Sequence, residues 1–344
     1  MVKVRLSVII PFYNVEKYIA ECLDSVYAQD IPESEYEVIC VNDCSPDNSR
    51  EIVLEYQKKH ANLILIEHET NKMLGAGRNT GLRAAQGDYV WFIDSDDYIE
   101  KNVFGKLLEK MEKQDLEILS FNAQRVTDEY VYSDYFFFFP TNTEVITGID
   151  FLKIDFPFWK KPVTAWSKIY SRNFLIENKV NYPEGVFFED EVTNLKTLFI
   201  CLRFQFITDI IYFYRSNVTS IMNSNVFGAK KLIHRIIQFN SSIVFLDEMK
   251  NRDIELTSTL IKYFCNLLAK QRKTILFFSI NDKRFFYKGI ENIKLDTLLK
   301  YDNKRRYSFL LYPKLTFYSS NLIFPTLNQL RKIKRKIFNP NEEY

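Results

Sequence analysis

The sequence predicts an α/β fold in which a mostly parallel sheet is covered by helices on both faces. Short apolar runs rich in β-branched residues alternate with segments of helical periodicity over the first 125 residues. These runs are continuously apolar rather than alternating, which is typical of strands buried on both faces. Several of them end in polar residues, and ligands of such sheets bind at the carboxyl ends of the strands.

Five apolar runs are predicted to be strands. The first is stopped by Pro11, which cannot donate a hydrogen bond to a sheet. In chain order the runs are LSVIIPF (6–12), YEVICVN (36–42), NLILIEH (62–68), YVWFI (89–93) and EILSFNA (117–123).

Helical signals separate these strands. Apolar residues recur from Val15 at the spacing of one helix face, with Asn14 as the expected N-cap. Ser45 followed by Pro46 predicts the start of a second helix. Two further helices are expected, GRNTGLRAAQG (77–87), which Gly87 would close, and a segment over roughly 102–113.

The composition is that of a globular protein, with 47% hydrophobic and 26% charged residues in a chain of 344. No apolar stretch approaches the roughly 18 residues that a transmembrane helix needs. The apolar run near the N-terminus is also too short for a signal peptide. The five cysteines form no C-x-x-C pair, which favours reduced thiols and a cytoplasmic location.

The fourth predicted strand leads into three aspartates, Asp94, Asp96 and Asp97. Charges of the same sign repel at this spacing, and burying them unpaired would be costly. Carboxylate oxygens are ligands that suit Mg²⁺ or Mn²⁺. A divalent cation at the rim of the sheet would therefore explain the cluster, and a solvated acidic turn is the alternative.

Six segments together resemble the family 2 glycosyltransferases, which are inverting enzymes with the GT-A fold. The segments keep the family's order and spacing over about 220 residues. They are SVIIPFYN (7–14), VNDCSPDNS (41–49), NKMLGAGRNTGLRAAQGDYVWFIDSDD (71–97), AWSKIY (165–170), PEGVFFEDE (183–191) and YRSNVTSIM (214–222). The resemblance implies a GT-A nucleotide-diphospho-sugar transferase fold, Rossmann-like and mostly parallel, with a helical C-terminal extension.

The resemblance also implies a reaction and a division of the chain. A sugar would move from a nucleotide-diphosphate donor, preferably a UDP-sugar, to a hydroxyl of a glycan or lipid-linked glycan, with inversion. The catalytic domain would span 1–225, with a nucleotide-sugar-binding part over 1–125 and an acceptor-side part over 126–225. Residues 226–344 lie outside the resemblance and are expected to be mainly helical.

Donor-binding residues are implied at the ends of the first two strands. Pro11, Tyr13, Asn14 and Glu16 would line the base and ribose, with Tyr13 able to stack on the base. Asp43 matches the aspartate that reads uracil in the family, since a carboxylate accepts a hydrogen bond from the N3–H that cytosine lacks. A turn or cap before the second helix is the alternative role for Asp43.

The segment GAGRN (75–79) resembles the part of the family fold that passes beneath the nucleotide. Gly75 and Gly77 would let the backbone approach closely, and Arg78 would offer a fixed cation. An exposed arginine at a helix N-terminus is the alternative for Arg78. Met73 stands where the family often has glycine.

The departing diphosphate must be neutralised, which a metal ion can do as a Lewis acid. The resemblance implies Asp96 as the direct ligand of Mn²⁺ or Mg²⁺, with Asp94 contacting the ribose, the metal or a metal-bound water. Ser95 would complete this donor-binding turn, and Asp97 would hold it. Arg215 would clamp the pyrophosphate unless it is a surface arginine. A histidine metal ligand is not expected, because the three histidines lie outside every motif.

The acceptor hydroxyl needs a base as it attacks the donor. The resemblance implies Asp190 as this base and Glu189 as its support or as an acceptor contact. The alternative is that both acids complement the N-terminus of the helix that follows. Trp166 would supply a flat wall for a sugar ring, or would belong to the core.

The last 44 residues hold nine Lys or Arg against three acidic residues. LRKIKRKIF (330–338) alternates apolar and basic residues on what would be an amphipathic helix, which can lie on an anionic membrane. Peripheral contact through 326–338 with the inner face of the plasma membrane is therefore one expectation. A basic solvated tail, or a helix docked on the catalytic domain, is the other. No nucleic-acid partner is expected, since no recognised binding fold accompanies the charge.

Two other classes of protein share some of these features. A catalytically weak nucleotide-sugar-binding protein would keep the pocket, although Asp94, Asp96 and Asp190 are all present here. An NAD-dependent Rossmann enzyme or a nucleotidyltransferase also places nucleotides at strand ends. That class is disfavoured because no G-x-G-x-x-G follows the first strand.

Overall fold

The structure is a computed structural model that describes residues 3–127, 130–135, 142–154, 163–216, 228–275, 280–290 and 296–301. The chain forms two compact units, Met1–Ser224 and Asn225–Tyr344. Among the described residues, none of the helices combines the length and hydropathy that a membrane span requires. The segment 326–338, for which membrane contact was predicted, lies outside the described residues.

One mixed sheet is the framework of the first unit. Its described strands are β1 (Leu6–Phe12), β2 (Tyr36–Asn42), β3 (Leu63–Glu67), β4 (Tyr89–Phe92), β5 (Tyr98–Ile99), β6 (Ile118–Val126), β7 (Val131–Tyr135), β8 (Lys168–Ser171) and β9 (Phe204–Arg215). Their order across the sheet is β3-β2-β1-β4-β8-β6-β9-β5, and β7 pairs with β6. All five predicted strands are present, and β6 extends beyond its predicted end to Val126.

Parallel pairing is continuous in one half of the sheet, and β6 and β9 form a further parallel pair in the other half. Strands β3, β2, β1 and β4 are parallel neighbours, as predicted. Beyond β4 the sheet is mixed, because β8 is antiparallel to both β4 and β6, and β5 is antiparallel to β9. The α/β class is therefore confirmed, whereas the mostly parallel character holds only for the half that carries the ends of β1, β2 and β4.

Seven described α-helices belong to the first unit. They are α1 (Ile19–Tyr27), α2 (Ser49–Lys59), α3 (Met73–Ala84), α4 (Phe104–Lys113), α5 (Gly148–Lys153), α6 (Arg172–Glu177) and α7 (Glu189–Ile200). The described part of the second unit is also helical, as predicted. Its helices are α8 (Gly228–Glu248), α9 (Ile254–Ile275), α10 (Ile280–Ile290) and α11 (Asp296–Tyr301).

Three helices begin at other residues than predicted. Helix α1 starts at Ile19, because Asn14 adopts a left-handed φ of 57° and lies before a turn rather than at the N-cap. Helix α2 starts at Ser49, whose backbone N–H donates to the Asp47 carboxylate at 3.2 Å. Helix α3 starts at Met73, earlier than predicted, and ends at Ala84, before the glycine expected to close it.

Strand β1 is buried on both faces, since all seven of its residues are buried. Leu6, Val8, Ile10 and Phe12 belong to the main hydrophobic core, which also contains apolar residues of α1 and α4. The alternate residues of β1 face helix α3 on the opposite side of the sheet. This two-sided burial is the physical reason for the continuous apolar pattern of the strand.

Helix α3 packs very close to β1, because two of its residues lack a Cβ atom. A Cβ at Gly77 would lie 2.6 Å from Pro11 Cβ, and a Cβ at Gly81 would lie 2.2 Å from Ile9 Cγ2. Both separations are shorter than real carbon contacts. The two glycines therefore set the depth at which α3 lies against the strand.

We predict that Gly81→Ala lowers the free energy of unfolding by about 1–3 kcal/mol, because the added methyl group overpacks the contact with Ile9. In an unhindered helix interior the same change would stabilise by about 0.5–1 kcal/mol. Gly105→Ala in α4 is the control, since the atoms nearest to a Cβ there belong to the side chain of exposed Asp30, which accepts from Gly105 N and can shift. Urea unfolding of the two variants tests this, and equal effects at both sites would contradict the packing argument.

Candidate active site

The ends of β1 and β2 are joined by hydrogen bonds into one rim. Three backbone N–H groups after β1 donate to side chains after β2. Asn14 N donates to Ser45 at 3.3 Å, Val15 N to Ser49 at 3.0 Å, and Glu16 N to Asp47 at 2.8 Å. The Glu16 carboxylate accepts two bonds of 3.1 Å from Asn48. Tyr13 is 47% exposed at this rim, whereas Pro11 is buried against α3. The structure thus brings the predicted donor residues of the first strand together, with Tyr13 accessible for stacking.

Asp43 is buried at the end of β2, and most of the hydrogen-bonding capacity of its carboxylate is used. Oδ1 accepts from His68 Nδ1 at 2.8 Å and from Lys72 N at 2.9 Å, and Oδ2 accepts from Met73 N at 2.8 Å. Asp43 therefore caps α3, not the helix after Ser45. Met73 adopts a left-handed φ of 69°, a conformation that favours glycine.

His68 is a residue of this site that the motif analysis missed. Its ring is buried against Asp43, with side-chain exposures of 6% and 5% for the pair. The sequence carried one signal, because His68 directly follows β3, at the same edge of the sheet as the other candidate residues. It was not used, because the histidines were considered only as metal ligands.

The three aspartates after β4 differ in their surroundings. Asp97 is buried and accepts 2.7 Å bonds from the Tyr212 hydroxyl and from the backbone N–H of Arg215. Ser95 is also buried, whereas Asp94 and Asp96 are half-buried. Asp97 therefore holds the turn, and Asp94 and Asp96 are its more accessible carboxylates.

Arg215 lies against this turn and is not a surface arginine. Its side chain is buried, its Nε donates to the carbonyl oxygen of Asp96 at 3.1 Å, and its Nη2 pairs with Glu21. The guanidinium also lies 5.1 Å from the ring centre of Tyr18 and 5.7 Å from that of Tyr98. A fixed cation is thereby held beside the acidic turn.

The two accessible carboxylates of the turn fit a divalent cation. Burial, together with the neighbouring Asp94, raises the pKa of Asp96 to about 6, so an added positive charge would stabilise the ionised pair. The described residues hold no group of three or more His, Cys, Asp or Glu that could hold a metal by themselves. One or two carboxylates completed by substrate phosphates are, however, a common way of binding Mg²⁺.

Arg78 joins the acidic turn to the start of α7. Its side chain is 1% exposed, Nη2 donates to Asp94 Oδ1 at 2.8 Å, and Nη1 pairs with Glu189 Oε1. The guanidinium lies 5.2 Å from the ring centre of Tyr182. Burial acts to lower the pKa of Arg78, but the carboxylates of Asp94 and Glu189 raise it more. The exposed arginine considered from the sequence is thus excluded, and Arg78 is a buried, charged bridge.

Gly75 and Gly77 allow other segments of the protein to pack closely against α3. A Cβ at Gly75 would lie 2.2 Å from the carbonyl oxygen of Pro183, in the loop before α7, and Gly77 abuts Pro11. Asn79 fastens the same loop through two 2.8 Å hydrogen bonds with the backbone of Tyr182. Both glycines therefore serve the close packing of α3 against this loop and β1, and the predicted approach of the backbone to a nucleotide stays a prediction.

Glu189 and Asp190 form the first turn of α7, as the capping alternative predicted. Glu189 is buried and paired with Arg78, whereas Asp190 is half-buried. Burial raises the pKa of both acids, and Arg78 acts in the opposite direction on each. Asp190 is thus the more accessible of the two acids, and burial holds the pKa of its carboxyl above the ordinary value.

Lys168 is a second residue whose place the sequence did not reveal, although it lies within AWSKIY. Its side chain is fully buried, and Nζ donates to the carbonyl oxygen of Thr164 at 2.6 Å and approaches Asn194 Oδ1 at 3.5 Å. Asn194 Nδ2 donates to the carbonyl oxygen of Asp190 at 2.9 Å. Burial lowers the pKa of Lys168 to about 7, although Asp190 acts to raise it.

Trp166 is a core residue. It is 3% exposed, and its ring stacks on those of Tyr212 and Tyr214, with centroids 4.3 and 5.8 Å apart. The sugar-stacking wall is therefore corrected to the core alternative, because the indole is not accessible to a ligand. Its contact with Tyr212 supports the turn that Asp97 holds.

We predict that Lys168 makes the free energy of unfolding rise with pH above about 7. A lysine with a lowered pKa in the folded state binds fewer protons there than in the unfolded state between pH 7 and pH 10.5. Stability therefore increases across that window as the cost of deprotonating the buried amine disappears. Urea unfolding at pH 7, 8 and 9 should show the stability of the wild type rising relative to that of Lys168→Met. Parallel pH profiles would contradict the burial of a titrating amine.

The family model described as Glycosyl transferase family 2 matches residues 7–162. The uncharacterized glycosyltransferase EpsJ of Bacillus subtilis is 32% identical over 63% of this chain and 62% of its own length. The poly(ribitol-phosphate) beta-N-acetylglucosaminyltransferase TarS of Staphylococcus aureus is 29% identical over 73% of this chain and 41% of its own. The chain thus spans less than two thirds of the length of these curated relatives.

Solved structures share the fold. The structure of S. aureus TarS 1–349 in complex with UDP-GlcNAc has a TM-score of 0.65 at 23% identity, covering 89% of this chain and 84% of that one. A mannosyltransferase from Pyrobaculum calidifontis, in complex with GDP-Man and Mn²⁺, has a TM-score of 0.53 at 19% identity, covering 91% and 88%. The architecture is therefore the GT-A fold with a helical C-terminal part. The family model shows that residues 7–162 belong to the family 2 glycosyltransferases, and the names of the curated relatives agree with this assignment.

Proposed function

We propose that the protein transfers a sugar from a UDP-sugar to a hydroxyl of a glycan or lipid-linked glycan, with inversion and with the help of Mn²⁺ or Mg²⁺. The observation that carries the proposal is the bridge of Arg78 between Asp94 and Glu189. It places the acidic turn suited to a metal–diphosphate next to the turn that presents Asp190. A donor and a base for the acceptor can therefore meet at one place.

The donor half of the proposal assigns the nucleotide to the rim of β1 and β2. Tyr13 would stack on the base, and Asn14 and Glu16 would line the ribose side of the rim. Asp43 would accept the N3–H of uracil through the capacity that its three present hydrogen bonds leave. UDP is favoured because TarS, which shares the fold, is described in complex with UDP and with UDP-GlcNAc.

The leaving diphosphate would be stabilised by charge. Asp94 and Asp96 would hold the divalent cation, which as a Lewis acid would stabilise the developing negative charge. Arg215 would add a fixed positive charge beside Asp96. Arg78 is already paired with two carboxylates, so we assign it to positioning rather than to direct donor contact.

The acceptor half assigns general-base catalysis to Asp190. The half-buried carboxyl would take the hydroxyl proton as the oxygen attacks the anomeric carbon from the side opposite the diphosphate, which gives inversion. Glu189 would hold the turn through Arg78. The acceptor class is supported by the relatives, among them a poly(ribitol-phosphate) beta-glucosyltransferase of Bacillus spizizenii, 30% identical over 65% of this chain.

Location forms a further part of the proposal. We assign the protein to the cytoplasm, with peripheral contact of 326–338 with the inner face of the plasma membrane. The excess of Lys and Arg in the last 44 residues supports this assignment. The full chain should sediment with anionic vesicles at low salt, and a chain truncated after residue 325 should not. Absence of vesicle binding by the full chain would exclude the contact.

We predict that Asp190→Asn reduces sugar transfer by about 10²–10⁴-fold, because the amide keeps the shape of the carboxyl but cannot take a proton. The Kd of the UDP-sugar should stay nearly constant, since other residues hold the donor. The measurement is the rate at which each of a set of UDP-sugars is consumed, and water can serve as the acceptor when no glycan acceptor is supplied. Glu189→Gln is the matched control, with a smaller loss.

Three outcomes bear on this assignment. A normal rate in Asp190→Asn, with activity lost in Glu189→Gln, would exchange the roles of the two acids. Normal rates in both variants would place the base elsewhere. Donor binding without turnover in the wild type would favour a nucleotide-sugar-binding protein of the same fold.

We predict that Asp96→Ala abolishes the stabilisation of the protein by UDP with Mn²⁺, because its carboxylate is assigned to the cation. Thermal unfolding with UDP, with Mn²⁺ and with both measures this stabilisation without the need for turnover. Asp209→Ala, which removes a surface carboxylate paired with Lys106, is the control. Equal stabilisation of Asp96→Ala and the wild type would refute the metal assignment.

A further inference from the structure

The His68 ring is buried between two polar groups at the end of β3. Nδ1 lies 2.8 Å from Asp43 Oδ1, and Nε2 lies 2.9 Å from Thr80 Oγ1. The Thr80 oxygen also accepts a 2.9 Å bond from Arg83 Nη2. A continuous chain of hydrogen bonds therefore runs from Arg83 on α3 to the carboxylate of Asp43, and the mechanism above gives no role to its histidine.

The partners of His68 hold both ring nitrogen atoms, and the carboxylate fixes the role of Nδ1. A carboxylate can only accept, so Nδ1 carries a proton and donates it to Asp43. The Thr80 oxygen accepts from Arg83 and also pairs with Nε2, to which it can donate its proton or from which it can accept through its second lone pair. The ring thus cannot rotate without losing a bond at each end, and it holds the Asp43 carboxylate in one orientation.

The hydrogen bonds to Asp43 leave little acceptor capacity. A carboxylate has about four acceptor positions, and three are filled by His68, Lys72 N and Met73 N. Two bonds go to Oδ1 and one goes to Oδ2. A ligand that reaches Asp43 would therefore find one acceptor position, on Oδ2, and no donor.

Such an acceptor discriminates between pyrimidine bases. Uracil presents its N3–H as a donor, whereas cytosine presents a lone pair at the same atom, which would repel the carboxylate. Discrimination requires that the carboxylate does not turn away from the base. Two of the bonds that oppose this rotation come from the backbone of Lys72 and Met73. His68 supplies the third, and its contribution can be removed by a side-chain substitution.

We propose that His68 is a positioning residue that sets the base selectivity of the donor site by holding Asp43. The inference rests on the proposed function, because it takes Asp43 to face the base of the donor. It adds a specificity-determining residue that lies outside all the motifs of the sequence.

Two substitutions separate the proposed role from simple packing. In His68→Asn the amide nitrogen can occupy the position of Nδ1 and donate to Asp43. In His68→Gln the amide can reach Thr80 but leaves Asp43 without that donor. We expect His68→Gln to weaken UDP binding roughly three- to tenfold, the size of one lost hydrogen bond, with a smaller change for CDP. His68→Asn should keep the UDP-to-CDP affinity ratio of the wild type.

Calorimetric titration of the full chain with UDP and with CDP, each in the presence of Mn²⁺, gives the two Kd values. His60→Gln is the control, because His60 Nδ1 also bonds a carboxylate, that of Glu33 at 2.8 Å, outside this site. It should leave both affinities unchanged. Thermal unfolding of each variant shows that it is folded.

The possible results distinguish this inference from the proposed function. A wild type that binds neither nucleotide overturns both. If the wild type prefers UDP and His68→Gln keeps the same UDP-to-CDP affinity ratio, only the role of His68 is overturned. The same holds if His68→Asn and His68→Gln lose UDP affinity equally. Should His68→Gln fail to fold, Thr80→Val decides. It frees the outer end of the ring, so a reduced UDP-to-CDP ratio is expected, and an unchanged ratio overturns the inference.

Discussion

The ion pairs of Arg78 with Asp94 and Glu189 are the interaction on which the candidate site depends. A guanidinium that is 1% exposed has lost nearly all its hydration, and only well-placed carboxylates can compensate for that loss. Asp94 comes from the end of β4, and Glu189 comes from the first turn of α7. One buried cation therefore fixes the distance between the two halves of the site.

The packing of α3 makes this bridge possible. Gly77 and Gly81 allow the helix to lie close to β1, and Gly75 allows the loop before α7 to lie close to the helix. Asn79 then fastens that loop at Tyr182. Gly75 and Gly77, which were predicted to let the backbone approach a nucleotide, thus also act on the site indirectly, because they allow three protein segments to pack together.

The acidic residues of this site differ in how far their side chains are buried. Asp97 and Glu189 are buried and have partners within the protein. Asp94 is half-buried and pairs with Arg78, and Asp96 and Asp190 are half-buried. Burial raises the pKa of both Asp96 and Asp190, so each would gain from a ligand that brings a positive charge or a proton. A metal at the first and an acceptor hydroxyl at the second, as proposed above, would satisfy these needs.

The strands of the parallel half could be predicted because continuous apolar runs directly reflect burial on both faces. The starts of α2 and α3 could not, since the bond from Ser49 to Asp47 and those from Lys72 and Met73 to Asp43 decide them. The candidate acids were identified by the resemblance, but their connection was not. Arg78 and Glu189 are 111 residues apart, and no local pattern encodes such a contact. His68, Lys168 and Trp166 were misjudged or missed for the same reason, because their roles follow from burial in the tertiary structure.

A double-mutant cycle between Arg78→Met and Glu189→Gln, measured by urea unfolding, tests the central claim most directly. Arg78→Met leaves the buried Glu189 carboxylate without its cation, so we expect it to lower the free energy of unfolding by about 3–5 kcal/mol. Glu189→Gln keeps an acceptor oxygen for Arg78 but removes the negative charge, so its effect should be smaller. The double variant should be less destabilised than the sum of the two, with a coupling of about 1–3 kcal/mol. The exposed pair Lys106 and Asp209, 3.0 Å apart, should give less than about 1 kcal/mol in the same cycle. Additive effects at Arg78 and Glu189, within about 0.5 kcal/mol, would contradict the bridge.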